Sequence, residues 1–435
     1  MMIKTVSVLG ANGTMGKNIS AIFASFGGAR VYMVCRTRKS AEKARLEASG
    51  TVRADTIEER LIPATYDELP DIIPKSDIVF ESAAEDMEVK KKINQMVAPY
   101  LSEHAILCSG TSGLSINKLA EDLPDSVAKR YFGMHFYNPP YSMPLCEVIP
   151  NDNTDISCQR AVEEYLQDKL FRTVVEVKDK AAFLGNRIGF FFINEAFLYA
   201  ERHMEKGGID YIDEILGGFT GRNMPPVLTS DFVGLDVHQA IIENVYLNSV
   251  DCSKESFRTP AFLKELLSKK RYGRKAGEGA YKTIRYPDGK KQVQVYDIQS
   301  KEYRDKRYYD IKFRNEVIRY LRDGNYHSAW SIISEDTSME AMIARDFLIR
   351  YVIYSMAVSS EIATSPFAAD DVMAMGFNWI PPLAVIDAFG GKEKVLQILQ
   401  DADLNNLNLD LDKIEKLILE APKSKYDYRK FLKAK

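Results

Sequence analysis

Two residues of this chain have the types and spacing for acid–base chemistry. His135 lies on the apolar run Gly133-Met134-His135-Phe136-Tyr137, Asn138-Pro139-Pro140 breaks the run, and Leu145-Cys146-Glu147-Val148-Ile149 returns with one glutamate, twelve residues after the histidine. This spacing predicts two strands meeting at a loop, with His135 and Glu147 able to touch. A carboxylate bonded to one imidazole nitrogen fixes the tautomer and raises the basicity of the other, which makes such a pair a natural general base. The same spacing also suits a satisfied core histidine beside a surface glutamate. The residues on either side bear on that choice.

An element able to position a cofactor opens the chain. Lys4 to Gly10 is an apolar run that ends in Gly10-Ala11-Asn12-Gly13-Thr14-Met15-Gly16, a helical pattern follows to about Ser25, and Val31-Tyr32-Met33-Val34 reads as a second strand. Strand, glycine turn, helix, strand is the opening of a dinucleotide-binding unit. Its glycines let the backbone approach a pyrophosphate, whose charge then sits at the positive end of the helix. Gly10, Gly13, Thr14, Met15 and Gly16 are the candidate contacts. After the second strand the expected acidic ribose ligand is missing, and the chain reads Cys35-Arg36-Thr37-Arg38-Lys39. With Arg36 and Arg38 there, the loop favours the 2′-phosphate of NADP over the free hydroxyl of NAD, the alternative being a solvated basic loop.

Composition narrows the remaining classes. Lys and Arg number 58 against 61 Asp and Glu, a formal charge of -3, so no global basic field points to nucleic acid or a membrane surface. Five widely spaced cysteines (Cys35, Cys108, Cys146, Cys158 and Cys252) include no CxxC pair, and they read as reduced thiols of a cytoplasmic protein with no metal site. Met-Met-Ile-Lys runs directly into a strand pattern, and the most apolar segments are too short or interrupted to span a bilayer, so a soluble protein is expected. At 435 residues the chain has length for two or three domains.

Further strands are expected at 78–81, 105–108, around His135, around Glu147 and at 173–175, with helical stretches at about 66–74, 86–101, 116–123 and 155–170. The alternation predicts a mostly parallel sheet covered on both faces, a Rossmann-type α/β domain over residues 1–179. From Ala182 to Lys282 the pattern is helical. Lys282 to Tyr286 and Gln292 to Tyr296 flank Pro287-Asp288-Gly289 as a hairpin within an insert over 284–340, read as a surface elaboration. Asp213 through Gly218-Phe219, Pro225-Pro226 and Asp231 to Gly234 recurs as Asp371 through Gly376-Phe377, Pro381-Pro382 and Asp387 to Gly390. Two homologous helical modules, 180–283 and 341–435, therefore follow the nucleotide-binding domain.

Together these motifs resemble the 3-hydroxyacyl-CoA dehydrogenase family, in the form with a duplicated C-terminal helical domain. The resemblance rests on Gly-x-His-Phe-Tyr-Asn-Pro, on Leu-Cys-Glu-Val-Ile and on Thr111-Ser112-Gly113-Leu114-Ser115-Ile116. It extends to Glu81-Ser-Ala-Ala-Glu85-Asp86-Met-Glu-Val-Lys90, Asn186-Arg187, Asp231-Phe-Val-Gly-Leu-Asp236 and Gly273 to Tyr281. It implies interconversion of a 3-hydroxyacyl-CoA and a 3-ketoacyl-CoA with a nicotinamide cofactor. His135 would take the hydroxyl proton, Glu147 would orient and charge-balance it, and Ser112 and Asn186, from the two domains, would bond the reacting oxygen. Glu85, Lys90, Asn138 and Lys275 would sit at the ribose and nicotinamide end. His104, His203, His238 and His327 match no motif and are expected to be structural or surface residues.

The sequence departs from the family pattern in several places. Asn12 lengthens the glycine turn by one residue, Cys35 replaces the acidic ribose ligand, and Gly110 stands where the family usually has asparagine. The helical hairpin that in the family helps hold the CoA is short, since Lys39 to Glu58 must cover it. Two other readings therefore accompany the first: a related dehydrogenase of a free hydroxy or sugar acid, and a non-catalytic NADP(H)-binding regulatory protein. Duplication also predicts a monomer whose second module covers the apolar face of the first, with a homodimer as the alternative.

Overall fold

The computed structural model describes residues 3–52 and 55–434. Two compact units emerge, one formed by Met1–Phe183 with Ile362–Phe377 and the other by Leu184–Glu361 with Asn378–Lys435.

The first unit is an eight-stranded sheet with strand order β3-β2-β1-β4-β5-β6-β7-β8. The strands are β1 (Thr5–Leu9), β2 (Arg30–Cys35), β3 (Leu61–Thr65), β4 (Ile78–Glu81), β5 (Ile106–Ser109), β6 (Tyr131–Phe136), β7 (Leu145–Pro150) and β8 (Thr173–Glu176). β1 to β6 pair in parallel, β7 runs antiparallel to β6, and β8 is parallel to β7. Every residue of β4, β5 and β6 is buried, as expected of strands covered on both faces. Helix α1 (Thr14–Ser25) returns from β1 and lays Ile19, Ile22 and Phe23 into the core. There Phe23 meets Phe80 edge-on, and Phe80 meets Phe136 in the same way.

The sequence pattern does not announce β3. Its Pro63 argues against a strand, yet β3 is the sheet edge, where a missing N–H is tolerated. After β2 comes the 15-residue helix Arg38–Val52, then the short helix Asp55–Glu58. Residues 362–377 fold with this unit, although the repeat pattern groups them with the second helical copy. Val177 bridges Ala363, Lys178 N–H donates to the Ile362 carbonyl at 2.8 Å, and the helix Ala368–Val372 packs on β7 and β8.

The second unit surrounds the helix Gly185–Arg202, whose residues Gly185 to Ala200 are all buried. Helices Ile209–Ile215, Pro226–Val233 and Leu235–Asn248 pack on it. In the repeated segments, Pro226 and Pro382 each open a helix behind a proline N-cap, and Gly234 and Gly390 follow with φ of 121° and 101°. The expected hairpin is one residue longer at its start and gains a third strand: β9 (Tyr281–Arg285), β10 (Lys291–Tyr296) and β11 (Tyr303–Asp305) form an antiparallel sheet. This insert is anchored, not merely a surface addition. The Arg304 guanidinium holds both oxygens of the fully buried Asp210 at 2.7 and 2.9 Å, and the Tyr309 hydroxyl donates to the same carboxylate. Among the described residues no helix is long and apolar enough to cross a membrane.

Candidate active site

The β6–β7 register places His135 directly opposite Glu147. In an antiparallel pair opposed residues share a face, so their side chains meet. His135 Nδ1 is 2.7 Å from Glu147 Oε2; the histidine is 4% exposed and the glutamate 0%. With Nδ1–H given to the carboxylate, Nε2 is the nitrogen left to accept a proton. The pair is buried, so Glu147 is not the surface glutamate that the spacing also allowed, and water competes little for its carboxylate.

Residues not anticipated from sequence complete this surrounding. The Tyr137 hydroxyl donates to the same Glu147 oxygen at 2.8 Å, and its ring centroid lies 4.5 Å from that of His135. The Phe183 ring lies 5.6 Å from His135 on the other contact. Phe183 and Ala182 have φ of 53° and 61°, consecutive non-glycine residues in the left-handed region. Such conformations cost energy and cluster at functional sites. No sequence pattern announced them, because nothing in Ala182-Phe183 differs from a helix approach.

Ser112, Glu85 and Lys90 form a second cluster. Thr111 Oγ1 and the Ser112 backbone N–H both donate to Glu85 Oε1, at 2.5 and 2.7 Å. Lys90 is 1% exposed, its ammonium held at 2.8 and 3.0 Å by Glu81 and at 3.5 Å from Glu85. Glu81, fully buried, also accepts from Ser109 Oγ at 2.7 Å and from the Ala83 N–H. Lys90 thus braces the loop that carries Glu85, and Glu85 is the exposed end of the network. Glu81 is the last residue of the buried strand β4, a position where a carboxylate needs partners. Gly110 packs against β4: a Cβ there would come within 2.6 Å of the Phe80 ring, so a larger residue at this position requires that ring to move.

The glycine turn fits a dinucleotide. Gly10 has φ 74° and lies so close to β4 that a Cβ would be 2.7 Å from the Ser82 carbonyl, and one on Gly16 would be 2.6 Å from the Gly10 carbonyl. Both glycines are therefore required by backbone approach at the point where β1 and β4 diverge, the crevice in which open α/β sheets take ligands. Helix α1 is N-capped by Gly13, with no side-chain cap and no acidic residue in its first turn, the kind of helix end whose N–H groups can take an anion. Tyr66 stands beside this turn; burial, with Glu81 and Cys35, pushes its hydroxyl up to about 12, so it is a neutral donor. Asn138, in the loop after β6, is exposed, and its amide oxygen accepts from Asn18 of α1 at 3.5 Å, which places it against that helix. At the end of β2, Cys35 is buried, Arg36 is exposed, and Arg38 is engaged by both oxygens of Glu68 at 3.0 Å and by the Pro63 carbonyl.

In the helical unit, Asn186 is 8% exposed and stands in the first turn of the helix Gly185–Arg202. Arg187, beside it, is buried, and its Nε–H donates to Asp251 at 2.7 Å, which braces the helix start. Lys275 is paired with Asp236. His238, as expected, is structural: it lies between Ser230 Oγ and Asn194 Oδ1, and burial pushes its pKa down to about 3.

A glycine turn at the β1/β4 crevice and a buried histidine–glutamate pair on adjacent strands are the features of a nicotinamide dinucleotide-binding α/β protein. The chain belongs to the 3-hydroxyacyl-CoA dehydrogenase family: residues 5–180 match the model of its NAD binding domain and 183–283 that of its C-terminal domain. It is 29% identical over 356 residues to a probable 3-hydroxyacyl-CoA dehydrogenase of Bacillus subtilis, covering 78% of this chain and 42% of that protein. To the pig mitochondrial hydroxyacyl-coenzyme A dehydrogenase it is 27% identical, over 65% of this chain and 92% of the relative. The chain spans only 42–59% of the length of the matching Bacillus and Rickettsia proteins. The fold is shared with 3-hydroxybutyryl-CoA dehydrogenase of Escherichia coli K12 at a TM-score of 0.69 and 20% identity, over 97% of this chain and 99% of that one. A (S)-3-hydroxybutyryl-CoA dehydrogenase of Ralstonia eutropha aligns at 0.57 and 30% identity, over 64% and 98%.

Proposed function

We propose that this chain interconverts a 3-hydroxyacyl-CoA and a 3-ketoacyl-CoA. The observation that carries this reading is the 2.7 Å His135–Glu147 contact, buried on adjacent strands of a chain of this family. A bound nicotinamide dinucleotide, on the glycine turn and the first turn of α1, supplies the hydride acceptor or donor. His135 Nε2 takes the proton of the 3-hydroxyl in oxidation and returns it in reduction. Glu147 holds the imidazole in the required tautomer and balances the imidazolium charge. Ser112 and Asn186 are assigned to the reacting oxygen, and Glu85, with Asn138, to the ribose and nicotinamide end. The helical region is read as two copies of one module.

The cofactor is read as NADP(H), on the exposed Arg36 and the absence of an acid after β2. Because Arg38 is held by Glu68, Arg36 carries most of that preference. A second reading, a dehydrogenase of a free hydroxy or sugar acid, draws on the shortness of the helical segment after β2, a 15-residue helix followed by the four-residue helix Asp55–Glu58.

Acetoacetyl-CoA and longer 3-ketoacyl-CoA esters should be reduced in a spectrophotometric assay. His135→Gln should lower kcat by about 10²–10⁴-fold, the usual worth of a general base, with cofactor affinity retained. Turnover of free 3-keto acids but of no CoA ester would transfer the function to the second reading.

A further inference from the structure

We infer that Tyr137 is a positioning residue of the proton-transfer pair, and that the C-terminal segment Met373–Phe377 holds it in place. The inference rests on the dehydrogenase reading above.

Two donors converge on one carboxylate oxygen: His135 Nδ1 at 2.7 Å and the Tyr137 hydroxyl at 2.8 Å both meet Glu147 Oε2. Glu147 is fully buried, so each donor shapes both the direction and the basicity of its carboxylate. A hydroxyl that stabilises the carboxylate charge reduces the pull of Glu147 on the imidazole proton. It also fixes the carboxylate rotamer, and with it the plane of the histidine ring.

Tyr137 lies past the end of β6, on a loop, and a loop residue needs external support to hold such geometry. That support comes from far along the chain. The Phe377 ring lies 5.7 Å from that of Tyr137. Gly376 packs so closely that an added Cβ would be 2.6 Å from Leu145 Cδ2 and 3.2 Å from Tyr137 Cδ1. Met373–Phe377 is a π-helical turn, which presents Gly376 to Leu145 of β7 and Phe377 to Tyr137. This turn continues the helix Ala368–Val372, which packs on β7 and β8. The C-terminal repeat therefore contributes a wall behind the catalytic pair.

The experiment compares the parent with Tyr137→Phe, a substitution that keeps the ring and removes one oxygen. Other titratable groups on the elements packed there are Cys146 on β7, Glu176 on β8, and Asp370 and Asp371 on the helix Ala368–Val372. All stay in place, so any change is assigned to the hydroxyl. Imidazole ¹⁵N resonances of His135, assigned with His135→Gln, are titrated by NMR, and the pH profile of kcat/KM for 3-hydroxyacyl-CoA oxidation is recorded. Removing the donor strengthens the hold of Glu147 on the imidazolium. Both the titration and the acid limb should therefore move to higher pH, by half a unit or more, with a kcat loss of three-fold or more. Superimposable titrations would overturn the role of Tyr137. For the supporting wall, Phe377→Leu should lower kcat and add little on top of Tyr137→Phe; fully additive losses would overturn it. If the parent reduces no acyl-CoA, the proposed function fails, while the NMR titration still decides the role of Tyr137.

Discussion

At the scale of single residues, Lys90 shows how burial changes the meaning of a charge. As sequence it reads as a cation at a helix start, available to a ligand; in the fold its side chain is 1% exposed and its ammonium lies on the fully buried Glu81. An ion pair of this kind adds little net stability, but removing one partner strands the other in a medium of low dielectric. Lys90→Met should therefore cost about 3–5 kcal/mol in urea unfolding. The double variant Lys90→Met with Glu81→Gln should recover part of that loss, because no bare charge remains. His135 and Glu147 were legible as candidates from spacing alone, since strand register follows from two apolar runs around a short loop. Tyr137, Phe183 and Glu81 were not, because a hydroxyl, an unusual φ or a buried carboxylate acquires its role only from what surrounds it.

At the scale of elements, the strand–glycine turn–helix opening carries its function in the backbone, which is why it could be read directly. Gly10 and Gly16 are required by contacts with Ser82 and with the turn itself, and glycine is the residue that leaves this space. The end of β2 was legible only in part: the three cations near Cys35 look alike in sequence, but Glu68 and the Pro63 carbonyl engage Arg38 and leave Arg36 exposed. Arg36→Ala should thus lower NADPH affinity by five-fold or more and leave NADH within about two-fold, whereas Arg38→Ala should act mainly through loss of the Glu68 contact. Isothermal titration with both cofactors checks this, and equal parent affinities for NADPH and NADH would remove the NADP assignment. The edge strand β3 escaped detection because Pro63 breaks the usual pattern, and β11 because three residues carry too little pattern to read.

At the scale of the whole molecule, the helical unit contains a buried acid with a readable thermodynamic consequence. Asp213 accepts from the Tyr281 hydroxyl at 2.7 Å and from the Val227 and Leu228 N–H groups at 2.9 and 3.0 Å, tying β9 to the start of the helix Pro226–Val233. Burial nevertheless pushes its pKa up from the model-peptide 3.8 to about 7. The folded state therefore holds a proton that the unfolded chain has released, and it binds more protons throughout that window. Stability is full below about pH 4 and falls as pH rises through 7, by up to about 4 kcal/mol from this group. Asp231, raised by burial to about 6, acts in the same direction. Thermal melts at pH 5, 6, 7 and 8 should show a falling Tm, and Asp213→Asn should flatten much of that slope.

The sequence by itself determined the parallel sheet, the dinucleotide turn, the histidine–glutamate candidates and the family. Each of these is written in local patterns: apolar period, glycine spacing and motif order. Only the tertiary structure decided that residues 362–377 fold with the nucleotide-binding unit, that Arg304 anchors the insert on Asp210, that Tyr137 bonds Glu147, and that Phe377 packs on Tyr137. The physical reason is that these depend on contacts between residues tens to hundreds of positions apart. Such contacts are selected by burial and packing in three dimensions, and they leave no periodic trace along the chain.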